Sequence, residues 1–279
     1  MIELGKRQTL QVVKKVEFGV YLGEEGENSE KEKVLLPGKQ VPEGTGMGDR
    51  LEVFIYKDSA DRMIATTRVP LITLHQTAVL TVAEVGKIGA FLNWGLEKDL
   101  LLPFREQTRR VQAGQQVLVG LYIDKSSRLC ATMKVYPYLK QNSPYVLGDE
   151  VEGRVYEVSD NFGVFVAVDD QYSGLIPKKE AQGDYRPGEQ VRCRVTSVRE
   201  DGKLNLSPRK KAYEQIDDDA ELIMKVLDEF AGVLPFDDKV SPEVIRREFG
   251  LSKAAFKRAV GHLLKDKKVE IKDKRIFRL

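Results

Sequence analysis

Short runs of alternating apolar and polar residues fill the first two hundred positions, and helical spacing appears only toward the C-terminus. In "EFGVYL" (17–22), Val20 and Leu22 alternate with Tyr21, so inward-facing aliphatics put the tyrosine ring on the outside. Phe18 shares the parity of Val20 and is expected inside, unless Gly19 hosts a bulge that turns both rings the same way.

That stretch recurs as "KIGAFL" (87–92) and "NFGVFV" (161–166). Each copy continues into an apolar cluster closed by proline, at Pro37, Pro103 and Pro177, then a glycine that opens another strand, at Gly48, Gly114 and Gly188. Eleven positions separate proline from glycine in all three. The strand glycine lies fourteen positions before the proline in two copies and eighteen in the first. The surplus falls in "GEEGENSEKEK", which reads as an exposed loop insertion. Each copy ends in a basic strand, "RMIATTR", "RLCATMK" or "KLNLSPR". The interval marks three repeated domains, over 1–70, 71–140 and 141–211.

Each repeat holds about five short strands and no long helix. A sheet that small hides its edges by closing, and a five-stranded oligonucleotide/oligosaccharide-binding (OB) barrel fits the length, with a small SH3-like barrel as the alternative. Residues 212–279 follow a helical period. One helix is expected after the acidic Asp217–Asp219 run, with Ile223, Val226, Leu227 and Phe230 on its buried face. A second runs from an N-cap at Ser241, through Pro242, to a stop at Gly250. A third buries Phe256, Val260, Leu263 and Leu264, and "VEIKDKRIFRL" closes as a hairpin. That order is a winged helix. The expected fold is mainly β with a C-terminal α+β domain.

Net charge is only +2, but the last segment is polarised. Residues 252–279 carry ten Lys/Arg against three acids, whereas 217–243 carry nine acids and two lysines. Lys253, Lys257, Arg258 and Lys265 on the third helix, with Lys272, Lys274 and Arg275 in the wing, form a candidate grip on nucleic-acid phosphates, DNA or RNA. A solvated basic face or a protein-docking module is the plainer reading. Cys130 and Cys193 read as reduced core thiols, with a disulfide as the alternative. No run reaches the roughly 18 apolar residues of a membrane span, and the first residues lack the apolar core of a signal peptide, so a cytoplasmic protein is expected.

The third copy, "VEGRVYEVSDNFGVFVAVDDQYSGLIPKKEA…YRPGEQVRCRVTSVREDGKLNLSPRK", resembles an S1 RNA-binding domain, and copies one and two resemble it more loosely. Three S1-like domains followed by a winged helix resemble the bacterial conserved virulence factor B family of RNA-binding regulators. The resemblance implies that the rings of the "FGaF" strand stack on bases: Phe18 and Tyr21, then Phe91, then Phe162 and Phe165. In the second copy Ile88 replaces one ring, and Trp94 is the candidate substitute. The family's acid-to-base pair before the last strand matches Asp58 and Arg62, then Asp124 and Arg128; Lys203 holds the basic position of copy three without a clear acid, and Lys178 flanks its proline. Proline replaces the family's turn histidine in every copy.

Elementary chemistry supports the same reading, since a base stacked on an aromatic gains about 1–3 kcal/mol whatever its identity, while Lys and Arg at the strand edge take phosphates. A lone strand aromatic is, against that, more often core than platform. Three platforms in tandem gain by avidity if the linkers let one strand span them. "GTGMGD" lacks the Lys and Ser/Thr of a phosphate-binding loop, His75 and His262 have no companion ligands, and no nucleophile has a base beside it, so no cofactor, metal or enzymatic activity is expected. The expected partner is single-stranded RNA, with a winged-helix transcription regulator that binds DNA as the rival.

Overall fold

The computed structural model describes residues 1–24, 32–208 and 212–279, apart from the side chains of 212–215. Most of the expected loop insertion, residues 25–31, lies outside the described part. The chain divides into two compact units, 1–208 and 209–279.

The first unit holds three five-stranded sheets of one topology. The first contains β1 (Arg7–Val16), β2 (Gly19–Gly23), β3 (Lys33–Pro37), β4 (Arg50–Lys57) and β5 (Met63–Thr66). The second contains β6 (Thr77–Val85), β7 (Gly89–Asn93), β8 (Leu100–Pro103), β9 (Gln116–Ile123) and β10 (Leu129–Thr132). The third contains β11 (Glu150–Ser159), β12 (Gly163–Val168), β13 (Tyr172–Pro177), β14 (Gln190–Val198) and β15 (Leu204–Ser207). In the first and third, strand order 1-2-3-5-4 closes into a barrel, with a short parallel pairing of the third and fifth strands. In the second, β8 and β10 lie side by side without ladder hydrogen bonds.

The fixed spacing has a physical cause. Each first strand carries a register shift, after Val12, Val82 and Val155, where it leaves the fourth strand and pairs only with the second. At that bend the valine carbonyl accepts the N–H of Gly48, Gly114 or Gly188, at 2.9, 2.8 and 2.7 Å. The valine N–H in turn donates to the carbonyl of the next residue, Asp49, Gln115 or Glu189. All three glycines have positive φ, which an L side chain adopts only at a cost.

The bulge therefore lies in the first strand and not at Gly19. Gly19 instead begins β2 opposite Pro37, and a Cβ there would stand 2.2 Å from the Leu36 carbonyl oxygen. The same clash, at 2.3 and 2.2 Å, awaits a Cβ at Gly89 and Gly163. Only glycine lets the second strand approach the third this closely. Phe18 precedes the strand in the hairpin turn, so strand parity does not govern it.

The barrels do not hang on free linkers. Phe54 and Tyr56 of β4 are buried in the core that fills the second barrel, together with Ile72 of the connection. Val135 and Leu139 flank a 3-10 turn, Tyr136–Tyr138, and pack with Leu118, Tyr156 and Ala167 to join the second and third barrels. The three barrels are joined by packing rather than by flexible linkers. Cys130 and Cys193 are buried and free, in different barrels.

The second unit contains α1 (Ala212–Glu229), β16 (Val233–Leu234), α2 (Pro242–Phe249), α3 (Lys253–Lys265), β17 (Val269–Lys272) and β18 (Arg275–Arg278), with a three-stranded sheet in the order β16-β18-β17. Helix α1 starts before the acidic run, which lies within it. Ile223, Val226 and Leu227 are buried as expected, but Phe230 lies past the helix end, exposed. Leu264 is likewise exposed, by 39%, because Phe256, Ala259, Val260 and Leu263 already fill the buried face. Ser241 takes the N-cap position of α2 without a side-chain hydrogen bond to a helix N–H, and Gly250 ends it in the left-handed conformation. Ser252 caps α3, its Oγ accepting the Ala255 N–H at 3.2 Å.

Two predictions follow from this packing. Gly163→Ala destabilises the third barrel by about 2 kcal/mol or more, because a Cβ meets backbone. Gly114→Ala, with positive φ but nothing within 4 Å, costs only about 1 kcal/mol; urea melts of the two variants test the difference. Burial pushes both thiols up to about 11, with Asp124 adding to the effect on Cys130. Unfolded thiols ionise near about 8.5, so above that pH the native chain holds protons the unfolded chain has lost. Stability is therefore unaffected below about pH 8.5 and declines as pH rises toward the native value. The urea midpoint should drop between about pH 8 and pH 10.5, and the Cys130→Ala/Cys193→Ala variant should show a shallower drop.

Candidate nucleic-acid interface

In each barrel the middle residue of the second strand points outward between buried neighbours. Tyr21, Phe91 and Phe165 are half-buried, while Val20 and Leu22, Ala90 and Leu92, and Val164 and Val166 are buried. Each ring lies opposite an outward leucine of the next strand, Leu35, Leu101 or Leu175. Beside the ring, the turn residue before the glycine is exposed: Phe18 by 60%, Ile88 by 61% and Phe162 by 64%. Its carbonyl accepts the N–H of the residue after the proline, Gly38, Phe104 or Lys178, which anchors the turn. The same bond puts the exposed Lys178 backbone 3.0 Å from Phe162.

The third barrel is the most complete. Phe162 and Phe165 have ring centroids 6.3 Å apart, and Phe165 leans on Tyr156 at 6.0 Å. A cleft of about 140 Å3 opens beside Phe165, bounded by Tyr136, Leu175, Arg199 and Lys203. The Lys203 ammonium stands 5.5 Å from the Tyr136 ring centre and 3.0 Å from Asp201, which also meets Arg199 at 3.4 Å. The hydrogen bond from Lys203, with the Arg199 charge, holds the Asp201 carboxyl below its ordinary value, and the same bond raises Lys203. Asp201 thus fills the acidic position that the sequence leaves open, because the longer turn moves the acid to within two residues of the base. In the sequence Tyr136 shows only as part of the aromatic "YPY" of the connection, outside the repeated ring positions.

On the first barrel, Lys33 stands 5.3 Å from the Tyr21 ring centre. Arg62 donates from Nε and Nη2 to Asp58 Oδ2, at 3.0 and 2.8 Å. Although burial opposes it, the N–H groups of Arg62 and Ala60 and the guanidinium hold the Asp58 carboxyl below its usual range.

The second barrel departs from expectation twice. Asp124 accepts the backbone N–H groups of Ser126 and Arg128 at 2.8 and 3.0 Å and the Cys130 thiol at 3.9 Å, while the Arg128 guanidinium pairs with Asp61 of the first barrel. Hydrogen bonding and charge from Asp61 raise Arg128. Trp94 does not replace the missing ring at Ile88. It is 3% exposed, meets Phe54 of β4 edge-on at 5.7 Å, and donates its Nε1–H to the Lys98 carbonyl at 2.6 Å. Lying just after β7, it turns into the junction between barrels and cannot offer a face to a base.

In the second unit, Lys257, Arg258 and Lys265 are exposed along α3, and Lys253 is half-buried at its start. Lys257 lies 3.8 Å from Asp238. In the wing, Lys272 faces Arg275 across a turn in which Asp273 and Lys274 have positive φ, and all three bases are exposed. Among the described residues no group of three or more His, Cys, Asp or Glu could hold a metal ion, and no helix is long and apolar enough to cross a membrane.

These features define a class: tandem S1-type OB barrels carrying outward rings and paired bases, followed by a winged helix. Family models agree. An S1 domain matches residues 4–68 and 76–134, the second domain of virulence regulatory factor CvfB matches 137–210, and a CvfB-like winged helix domain matches 221–277. The conserved virulence factor B of Staphylococcus haemolyticus is 30% identical over 281 residues, covering 95% of this chain and 94% of its own. The uncharacterized protein YitL of Bacillus subtilis is 33% identical over 275 residues, covering 95% and 90%. A crystal structure of a multidomain protein with nucleic acid binding domains from Streptococcus pneumoniae matches with 23% identity, over 99% of this chain and 98% of that one, at a TM-score of 0.48. The chain belongs to the conserved virulence factor B family.

The opposite environments of two rings give a direct test. Trp94→Ala should lower stability by about 3–5 kcal/mol, as for a buried aromatic, whereas Phe162→Ala should change it by less than about 0.5 kcal/mol. Thermal melts followed by circular dichroism distinguish them.

Proposed function

We propose that this chain is a single-stranded RNA-binding protein and a post-transcriptional regulator of bacterial gene expression, acting in the cytoplasm by holding RNA rather than reacting with it. The observation that carries this reading is the paired Phe162 and Phe165 rings beside the cleft of Tyr136, Arg199 and Lys203. Unstacked bases present flat faces, and two adjoining rings receive them with little regard to sequence. Lys203 and Arg199 at the cleft, with Lys178 after the proline, are the bases this reading assigns to backbone phosphates. The S1 domain matches support RNA as the partner, and the name shared by several relatives, conserved virulence factor B, supports regulation of virulence-factor expression as the role. On this reading Tyr21 with Arg62, and Phe91 with Arg128, serve as the corresponding ring and base of the other barrels. The bases of α3 and the wing add a further phosphate contact.

Anisotropy titrations of the full chain with a single-stranded RNA dodecamer and with duplex DNA test this. RNA should bind more tightly. Phe162→Ala should weaken it by about 1–3 kcal/mol, roughly five- to 150-fold, and Phe162→Tyr should restore most of the loss. Lys203→Ala should reduce the slope of log affinity against log salt by about 0.7. Tighter binding of duplex DNA, abolished by removing Lys272, Lys274 and Arg275 but not Phe162, would overturn the reading in favour of a winged-helix DNA regulator.

A further inference from the structure

The first two barrels share a cleft of about 190 Å3, lined by Tyr56, Lys57 and Asp61 from the first and by Phe91, Trp94 and Arg128 from the second. This volume is below the roughly 300–1,000 Å3 of sites for larger ligands, so it suits one planar ring system. The cleft lies on the face toward which Phe91 points. Ile88, where the third barrel has Phe162, lines it too and offers no second aromatic surface. Tyr56 of the neighbouring barrel, otherwise buried, reaches the cleft wall at its edge. Lys57, Lys98 and Arg128 give the lining an excess of cation over Asp61 and Asp99.

The Arg128–Asp61 pair joins the two barrels at this cleft, with side chains 57% and 43% exposed. An ion pair this exposed is weakly held and exchanges readily for a stronger anion. A phosphate offers more charge and more acceptor oxygens to the guanidinium than one solvated carboxylate does.

We infer that the cleft is a composite nucleobase pocket: one base of a bound single strand enters it against Phe91, the edge of Tyr56 from the first barrel bounds it, and Arg128 passes from Asp61 to the adjoining phosphate. This rests on the RNA-binding reading above and adds a site that neither barrel has alone. A base within a chain is favoured over a free nucleotide, because the volume holds one ring and the cationic rim leaves room for the backbone to continue outside.

The chain has one tryptophan, and it lines this cleft, so Trp94 emission reports occupancy directly. Full-length protein is titrated with a dodecamer of adenylate while Trp94 emission is read. Anisotropy of a labelled copy measures total binding in parallel. The dodecamer should quench Trp94 saturably, with a midpoint matching the anisotropy. Ile88→Asp, at an exposed position that leaves folding intact, should abolish the quench. Asp61→Ala frees Arg128 and should lower the quenching midpoint by about two- to fivefold. A saturating anisotropy change with unaltered Trp94 emission overturns the pocket and leaves the RNA-binding reading standing. A higher midpoint for Asp61→Ala overturns the exchange of Arg128. Equal quenching by free adenosine monophosphate at the same midpoint overturns the assignment to a chain. Absence of any oligonucleotide binding by either signal overturns the RNA-binding reading and the pocket with it.

Discussion

The repeated unit depends on one bend. A five-stranded sheet closes into a barrel only if its first strand belongs to both halves, and a straight strand cannot pair fully on both sides while the sheet curls. Here the extra residue after Val12, Val82 or Val155 supplies the turn, and the peptide groups on either side of it would be stranded without new partners. The glycine turn before the fourth strand provides both, a donor to the valine carbonyl and an acceptor for its N–H. Because that turn must reach the bend, the chain between the third-strand proline and the glycine has one workable length. The same bend sets the register of the second strand, and so decides that Tyr21, Phe91 and Phe165 face outward.

Barrels of this size have small cores. Among the described residues the first holds nine buried members in its own cluster, from Leu10 to Ala65, a small core for an independent domain. The junctions offset this by placing Phe54, Trp94, Val135 and Leu139 between neighbours, where each buries area on two sides. Packing also fixes how the outward rings of adjacent barrels stand to one another within residues 1–208. Side chains such as Tyr56 and Asp61 thereby become part of a neighbour's surface, which a bead-on-string arrangement would not allow.

What the sequence discloses follows from what repeats within it. Alternation places Tyr21 between buried aliphatics, and the constant interval reveals three domains, because both are local properties of each copy. Contacts between copies leave no such trace. Trp94 sits next to a strand of platform residues, so by spacing alone it looks like another platform; only the approach of Phe54 from a different barrel makes it core. Arg128 likewise has an acid four residues earlier in Asp124, yet the turn consumes that carboxylate on backbone N–H groups and the side chain finds Asp61 instead. Asp201 is missed for the opposite reason, since one extra residue in a turn moves the acid out of its familiar place. Gly19 shows a further limit: a glycine in a strand suggests a bulge, but close approach of a carbonyl demands it equally.

If the barrels hold RNA as proposed, charge pairing would govern how they discriminate. The base at each platform's edge is already paired, Arg62 with Asp58, Arg128 with Asp61 and Lys203 with Asp201. A net charge of +2 over 279 residues adds little long-range attraction. A duplex presents phosphates but hides its base faces, so it has only charge to offer these barrels, and the acids have already claimed most of that. A single strand brings exposed bases to the rings first, and phosphates held close by stacking then compete with carboxylates at short range, where geometry favours the guanidinium's bidentate contact. On the RNA-binding reading proposed above, pairing each base with an acid would convert a general attraction for polyanions into one conditional on stacking, and would hold long side chains in place until an RNA strand displaces the acid.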